Sequence, residues 1–256
     1  MLAVWAWTLL SPSPAAFSAD APSSAINYEE PALLTGTIFE TGSDAKKVLF
    51  KFKRSAARSG STVRVLREFT YPDGSLAARE RVVYEAGRFI SFQLDELQTG
   101  SQGTTTIALD PKTSKWKAAF DFVTGSGNKT RKKTDSETLD REPLIADMIP
   151  YFVTAHWNEL VKGAAVTFRF VAQSRVETVG FKLVKESEVT WRGKPTIRLR
   201  MEPTSFIIAQ IVDPLFFIVE KDGAHRILEY DGRTTPKLKR GNDWKDLDAV
   251  TIYDWN

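Results

Sequence analysis

The chain has no cysteine and only two histidines, and each shortage removes a class of function. Without cysteine there is no disulfide scaffold, no thiolate zinc site and no cysteine nucleophile. Two histidines cannot supply a site that needs three histidine ligands. The formal charge of +3 over 256 residues is close to neutral, so the composition does not require nucleic acid as a partner. The 42% hydrophobic and 11% aromatic content is typical of a folded globular protein.

Apolar runs long enough to span a membrane are also missing, and one short run lies at the N-terminus. Residues 1–10 (MLAVWAWTLL) are uncharged and apolar, but a transmembrane helix needs about 20 such residues. Ala16 and Ser18 suit the two small-residue positions of a signal-peptide cleavage site. No Lys or Arg precedes the run, which leaves a buried N-terminal strand or helix as the alternative. We expect residues 1–25 to be a signal peptide and linker, and the mature protein to be periplasmic or secreted.

Most of the chain alternates between apolar and polar residues with period two. Within residues 33–123, for example, Phe50 and Phe52 alternate with Lys51 and Lys53. This alternation predicts strands that place one face on a core and the other in water, as in an antiparallel sheet. The predicted strands are near ten residues long, which is above the usual length and favours a strongly curved sheet.

A stretch with helical spacing interrupts the strands. Apolar residues from Leu144 to Leu160 recur at helical intervals, and Gly163 is a typical residue for the end of a helix. Pro150 lies inside this stretch, which predicts two short helices or one kinked helix. Alternation with period two resumes at Ala164.

The order of strands, helical insert and further strands predicts the fold class. We expect a mainly β (α+β) protein with a single β-rich domain over residues 26–256, rather than two independent domains. The domain would be a curved antiparallel sheet or unclosed β-barrel. The helical insert near residues 142–162 would pack on the concave face of this sheet.

Three stretches of the C-terminal half carry a family likeness. They are residues 147–157, which begin Asp147-Met148-Ile149-Pro150-Tyr151, the segment from Gly193 through Met201-Glu202-Pro203 to Asp213-Pro214, and the hairpin Arg226-Ile227-Leu228-Glu229-Tyr230-Asp231-Gly232. With the overall layout, these stretches resemble the exported lipoprotein-carrier superfamily, which includes the LolA/LolB lipoprotein localisation factors and related periplasmic families of unknown function. The resemblance implies an unclosed barrel covered by helices around an apolar cavity. It also implies a soluble carrier rather than an anchored receptor, because the chain has no lipid-anchoring cysteine.

Signatures of catalysis are weak. The chain has no Gly-x-Ser-x-Gly nucleophile elbow, and we interpret its isolated His156 and His225 as surface or core residues. Asp147 and Tyr151 lie four apart on the predicted helix, which is typical of a pair on a helix surface. The loop at 125–130 lacks the glycine before lysine of a phosphate-binding loop. We therefore predict no enzyme, no cofactor and no metal site.

Basic residues form three clusters, which allow two interpretations. One is peripheral contact with an anionic membrane surface, which contributes about 1 kcal/mol per charge. The other is a solvated strand face, because outward lysines discourage edge pairing. We predict no nucleic-acid partner, since no aromatic–basic recognition motif is present. The clusters are Lys46, Lys47, Lys51, Lys53, Arg54 and Arg58; residues 129–133; and Lys237, Lys239 and Arg240.

Segment 206–219 (FIIAQIVDPLFFIV) is strongly apolar, and Asp213-Pro214 divides it into a predicted short helix and a buried strand. It is either part of the core or a lid over an apolar cavity, where each buried large side chain contributes about 1.5–3 kcal/mol. We predict a cavity for an apolar or lipid-like ligand, roofed by this segment and by the helical insert. Its predicted lining is Phe50, Phe92, Phe120, Phe152, Trp157, Phe168, Phe181, Leu199, Phe206 and Ile207.

The resulting hypothesis is a non-enzymatic exported protein that binds an apolar or lipid-like ligand or serves as an envelope scaffold. Two alternatives remain open, a secreted hydrolase of unknown specificity and a purely structural interaction module. A solidly packed interior would favour the interaction module. A cluster of ionisable groups in a deep cleft would favour the enzyme, and an apolar cavity favours ligand binding.

Overall fold

The computed structural model describes residues 26–125, 130–210 and 212–255. The predicted signal peptide and linker, residues 1–25, lie outside the described residues. The described chain is mainly β, and fourteen strands form one large antiparallel sheet, which confirms the predicted fold class. Strands β14 (Leu238–Arg240) and β15 (Asp243–Lys245) form a separate hairpin. The strands of the large sheet are β1 Leu33–Glu40, β2 Val48–Ser59, β3 Thr62–Thr70, β4 Leu76–Glu85, β5 Arg88–Glu96, β6 Ser101–Asp110, β7 Lys115–Thr124, β8 Arg131–Leu139, β9 Val166–Ala172, β10 Glu177–Trp191, β11 Lys194–Pro203, β12 Leu215–Glu220, β13 Ile227–Arg233 and β16 Asp248–Asp254.

The first and last strands of the described chain pair in the middle of the sheet. The strand order is β8-β7-β6-β5-β4-β3-β2-β1-β16-β13-β12-β11-β10-β9. Strand β1 pairs with the last strand, β16, from Thr35 opposite Asp254 to Glu40 opposite Ala249. The meander β1–β8 extends to one side of this pair and β9–β13 to the other, so both halves of the chain share one sheet.

A helical segment carries the chain from the β8 edge to the β9 edge. One turn of 3₁₀ helix, Ala146–Met148, leads into α1 (Ile149–Ala155), and α2 (Trp157–Val161) follows. Pro150 lies in the first turn of α1, where its missing N–H breaks no helical hydrogen bond. A short helix, α3 (Phe206–Ala209), connects β11 to β12. Within the described residues, every helix is too short or too polar to cross a bilayer.

Most strands of the large sheet bury alternate residues, as their alternating sequence requires, whereas β8 has no buried residue. Strand β6, for example, alternates buried and exposed side chains from Ser101 to Ile107. The buried side chains form a large cluster that includes Leu183 and Leu199 and a smaller one around Phe50. Because Ile149 and Val153 of α1 belong to the larger cluster, the helical segment packs against the inner face of the sheet.

The sheet is not closed by backbone pairing, but side chains connect its two ends. Glu137 of β8 accepts hydrogen bonds from the backbone N–H of Thr178 in β10 at 3.0 Å and from the Thr178 hydroxyl at 2.5 Å. The Gln173 amide donates to the Asp121 carbonyl of β7 at 3.0 Å. The structure is therefore an unclosed barrel whose edges meet through polar side chains rather than a continuous ladder.

Replacement of Glu137 tests this connection. In Glu137→Ala, the Thr178 amide loses a hydrogen bond to a charged acceptor, which is a loss of about 1.5–3 kcal/mol. Hydrogen exchange measured by NMR should therefore become about tenfold faster or more at this amide. Thr138→Ala, at the exposed neighbouring position of the same strand, is the control and should leave the exchange rate unchanged. Equal protection of Thr178 in both variants would contradict the proposed role of Glu137 at the edge.

Candidate functional site

The sheet and the helical segment line a cavity of about 680 Å³ that is partly open to solvent. This volume lies in the range of small-molecule sites, roughly 300–1,000 Å³. Its lining comes from strands of both halves of the sheet, from the 3₁₀ turn and α1, and from the loop after α3. Much of its wall is apolar, and the large apolar side chains include Phe92, Phe170, Phe181, Met201, Leu215 and Phe217.

A buried ion pair joins the helical segment to the sheet at the cavity wall. Arg54 of β2 donates from Nε to Asp147 Oδ1 at 2.7 Å and from Nη2 to Asp147 Oδ2 at 3.2 Å. Both side chains are almost fully buried, with 4% and 1% exposure. The Tyr84 hydroxyl donates to Asp147 Oδ2 at 2.9 Å. Arg54 also donates to the backbone carbonyls of Tyr28, at 2.7 Å, and of Pro31. Both charged groups are therefore well supplied with partners.

The surroundings of this cluster keep Arg54 charged and its tyrosines neutral. Burial alone would lower the pKa of Arg54, but the Asp147 carboxylate outweighs burial and raises it. Burial raises the pKa of Tyr84 well above its usual value, and the negative charge of Asp147 adds to the effect. Burial also raises the pKa of Tyr151. These phenols consequently remain neutral hydrogen-bond donors at physiological pH.

A second pair lies beside the first. Residues Arg54, Arg67 and Glu80 stand opposite one another on the adjacent strands β2, β3 and β4. Arg67 Nη1 donates to Glu80, and the Thr235 hydroxyl donates to the same carboxylate. Arg67 Nε lies 3.8 Å from Asp147 Oδ1, which is beyond a hydrogen bond. The row therefore contains two cations and, with Asp147, two anions.

Each histidine contacts a neighbouring side chain. His156 pairs with Glu159 on the surface of the helical segment. His225 lines the cavity, but its ring stacks on Trp157 with 3.8 Å between the ring centroids. Across the described ranges, His, Asp and Glu side chains form no group of three that could hold a metal ion.

The predicted lining residues have several different positions. Phe92 and Phe181 line the cavity. Phe50, Phe120 and Leu199 are buried within the packed core instead.

The predicted lining residues on the helical segment and on β9 also lie outside the cavity lining. Phe152 and Phe168 pack against each other at 4.8 Å, and Trp157 stacks on His225, so these rings contact one another rather than the cavity.

Two residues of the predicted roof do not lie where they were expected. Phe206 and Ile207 are 79% and 72% exposed, because α3 is a single short turn that directs them outward. Ile208 and Val212, on the same connection, line the cavity. The segment thus contributes to the wall through residues that were not predicted.

Two predictions about charged residues were wrong. Asp147 was expected on a helix surface with Tyr151, but it is buried and bound to Arg54. Arg54 was grouped with a basic cluster expected at the surface, but it is 4% exposed. A signal was present in both cases, since Arg54 shares the inward parity of Phe50 and Phe52, and Asp147 is an acid in an apolar stretch.

The basic clusters are partly neutralised by neighbouring acids. Lys47 and Arg58 of the first cluster each pair with a carboxylate near the surface. Lys237 of the third cluster lines the cavity and pairs with Asp246 at 2.7 Å. Part of the predicted basic surface is therefore occupied by intramolecular ion pairs.

Comparisons with known proteins give the chain no family. No family model matches it, and no curated protein does. Among solved structures, it is similar to one described as a β-barrel-like protein of the domain of unknown function DUF1849 from Brucella abortus. The sequences are 7% identical, the TM-score is 0.42, and the alignment covers 87% of this chain and 93% of that chain. The comparison gives no support to the LolA/LolB resemblance drawn from the sequence.

Removal of one partner of the buried pair should strongly destabilise the fold. Arg54→Met leaves Asp147 as a buried charge without its cation, which should lower the free energy of unfolding by about 3–5 kcal/mol in urea denaturation. The double variant Arg54→Met/Asp147→Leu removes both charges and should lose less than the single variant.

Arg58→Met is the matched control, because Arg58 pairs with Glu29 near the surface. Exposed pairs of this kind contribute about 0–1 kcal/mol. Equal losses for Arg54→Met and Arg58→Met would show that the buried pair has no special structural role.

Proposed function

We propose that this protein binds an apolar or lipid-like ligand in the cavity and has no catalytic activity of its own. The observation that carries the proposal is the cavity of about 680 Å³ with an aromatic and aliphatic wall inside an unclosed barrel. An unfilled apolar space of this size gains most from a ligand that transfers apolar surface out of water. Each CH₂ group buried there contributes about 0.8 kcal/mol.

The state of the charged groups supports binding over catalysis. An acid–base catalyst needs a group that is free to exchange a proton with a substrate. Asp147 is held by Arg54 and Tyr84, and Glu80 is held by Arg67 and Thr235. We therefore favour a structural or recognition role for these groups over that of a hydrolase.

The same cavity weighs against a purely structural interaction module, which requires a filled interior. We further propose that the mature chain acts in the periplasm or outside the cell, on the basis of the N-terminal sequence pattern. Contact with anionic membrane surfaces through unpaired basic residues is part of the same proposal, since a carrier of lipid-like molecules must reach its ligand.

Binding of a neutral apolar probe tests the main proposal. We expect N-phenyl-1-naphthylamine to bind with one site per chain and increased fluorescence. Val179 is 6% exposed and lines the cavity, so Val179→Trp should fill part of it and weaken probe binding about tenfold or more. Leu215→Trp does the same from another strand and protects the test against a folding defect of one variant.

Ile90→Trp is the control, since Ile90 is 38% exposed and lies outside the cavity lining. Circular dichroism establishes that each variant is folded. Absence of saturable probe binding by the wild-type protein, or equal binding by all three folded variants, would refute the cavity as a ligand site.

A further inference from the structure

Arg67 has far fewer hydrogen bonds than a buried arginine normally makes. It is 8% exposed and lines the cavity. A guanidinium group carries five N–H donors, yet the only hydrogen bond that Arg67 makes within the described part of the chain runs from Nη1 to Glu80. Buried polar groups are nearly always paired, because an unmet donor loses its hydration without compensation. Among the described residues, the side-chain donors that are fully buried without a partner belong to Arg198 and Arg200, so the unused donors of Arg67 are accessible from the cavity, where a ligand can reach them.

The neighbouring arginine, Arg54, does not share this shortage. Arg54 stands directly opposite Arg67 on β2, in a similarly buried position. Its Nε, Nη1 and Nη2 all donate, and its acceptors are Asp147, the Tyr151 hydroxyl and two backbone carbonyls. The same strand pair thus holds one satisfied arginine and one with free donors.

Aromatic rings hold the guanidinium group of Arg67 in place. Its Cζ lies 5.3 Å from the ring centroid of Phe52 and 5.8 Å from that of Phe69. Cation–π contacts of this kind attract the charge but accept none of its in-plane N–H groups in the usual geometry. The group is therefore oriented and charged, while its donors stay available.

The Tyr253 hydroxyl is a second free donor, and it lies near the free donors of Arg67. The Tyr253 ring packs edge-on against Phe52, with 5.7 Å between centroids, and it also lines the cavity. Gly36 lies between Tyr253 and Phe52 in the strand register, and its missing side chain leaves room for the Tyr253 ring to lean across β1. No described residue forms a hydrogen bond with the Tyr253 hydroxyl. Burial raises the pKa of Tyr253, so the hydroxyl is a neutral donor.

We propose that Arg67 and the Tyr253 hydroxyl bind the anionic head group, a carboxylate or a phosphate, of an amphipathic ligand. The apolar tail would then lie along the aromatic wall of the cavity. This inference rests on the proposed function, since it requires that the cavity hold a ligand. A planar guanidinium group binds two oxygens of a carboxylate or phosphate at once, which matches the unused donors.

The charged groups around Arg67 balance one another, so an anion can enter without net repulsion. The groups facing Arg67 are Glu80, Asp147 and Arg54, and the two acids are balanced by the two arginines. Among the described residues that line the whole cavity, six are Lys or Arg and five are Asp or Glu, a balance of +1. An entering anion therefore meets no net negative charge and gains hydrogen bonds from Arg67 and Tyr253.

The test compares ligands that share one tail. Dodecanoate, dodecyl phosphate and dodecanol are measured by displacement of N-phenyl-1-naphthylamine from the wild-type protein. A hydrogen-bonded charged head group should bind about 10–100-fold more tightly than the neutral alcohol. The two anions separate carboxylate from phosphate recognition, and a preference for either supports the proposal. Acetate and inorganic phosphate, which lack a tail, should not displace the probe at the same concentrations.

The variants assign this preference to particular residues. Arg67→Met should weaken the two anions about tenfold or more while dodecanol binding changes little. Arg67→Lys should retain part of the preference, because an ammonium group keeps the charge but lacks the planar fork. Tyr253→Phe removes one hydroxyl and should weaken the anions several-fold. Arg175→Met is the control, since Arg175 also lines the cavity but pairs with Glu177 at the surface.

The outcomes separate this inference from the proposed function. If dodecanol binds as tightly as the anions, or if Tyr253→Phe and a folded Arg67→Met keep the anion preference, the anion site is refuted while the apolar cavity stands. Displacement by acetate or inorganic phosphate at equal strength would refute the amphipathic ligand. If neither the probe nor any of the three twelve-carbon compounds binds, the proposed function fails as well.

Discussion

The buried ion pair between Arg54 and Asp147 is the interaction on which the interior of this molecule depends. Removal of two charges from water carries a large penalty, which only close geometry and further hydrogen bonds can offset. The Tyr84 hydroxyl and the carbonyls of Tyr28 and Pro31 provide those bonds. These partners belong to the segment before β1, to β2, to β4 and to the 3₁₀ turn. The pair consequently determines where the helical segment meets the sheet.

The number of strands explains why a cavity remains beside this pair. Barrel diameter grows with strand number, and about eight strands already enclose an interior that side chains can fill. A curved sheet of fourteen strands encloses more space, so other parts of the chain enter it. Tyr28 stacks on the Tyr84 ring at 3.8 Å, and Ile149 and Val153 of α1 pack into the core. These elements are too short to fill the interior, and the unfilled part is the cavity.

Local pattern predicted the strands and the helical segment, because the periodicity of apolar residues is a property of neighbouring positions. The same parity marks Arg54 as inward-facing beside Phe52, although its many basic neighbours suggested a solvated face. Strand order lay beyond such reasoning, since the pairing of Thr35 with Asp254 joins opposite ends of the chain. The outward position of Phe206 could not be predicted either, because composition alone does not say which side of a single helical turn faces the interior.

The two arginines that lie opposite each other on β2 and β3 have different roles, one structural and one in binding. Like charges directly opposite each other on adjacent strands repel, and the pair of Arg54 and Arg67 is tolerated because Asp147 and Glu80 lie beside it. An apolar side chain at position 67 would leave the buried Glu80 carboxylate without its cation, so Arg67 also stabilises its own ion pair. Arg67 keeps unused donors at the cavity wall beyond those that this pair requires. A charged group with donors accessible from a cavity is typical of a functional site. Arg54 uses the donors of all three of its nitrogens within the fold, whereas Arg67 has donors left for a ligand.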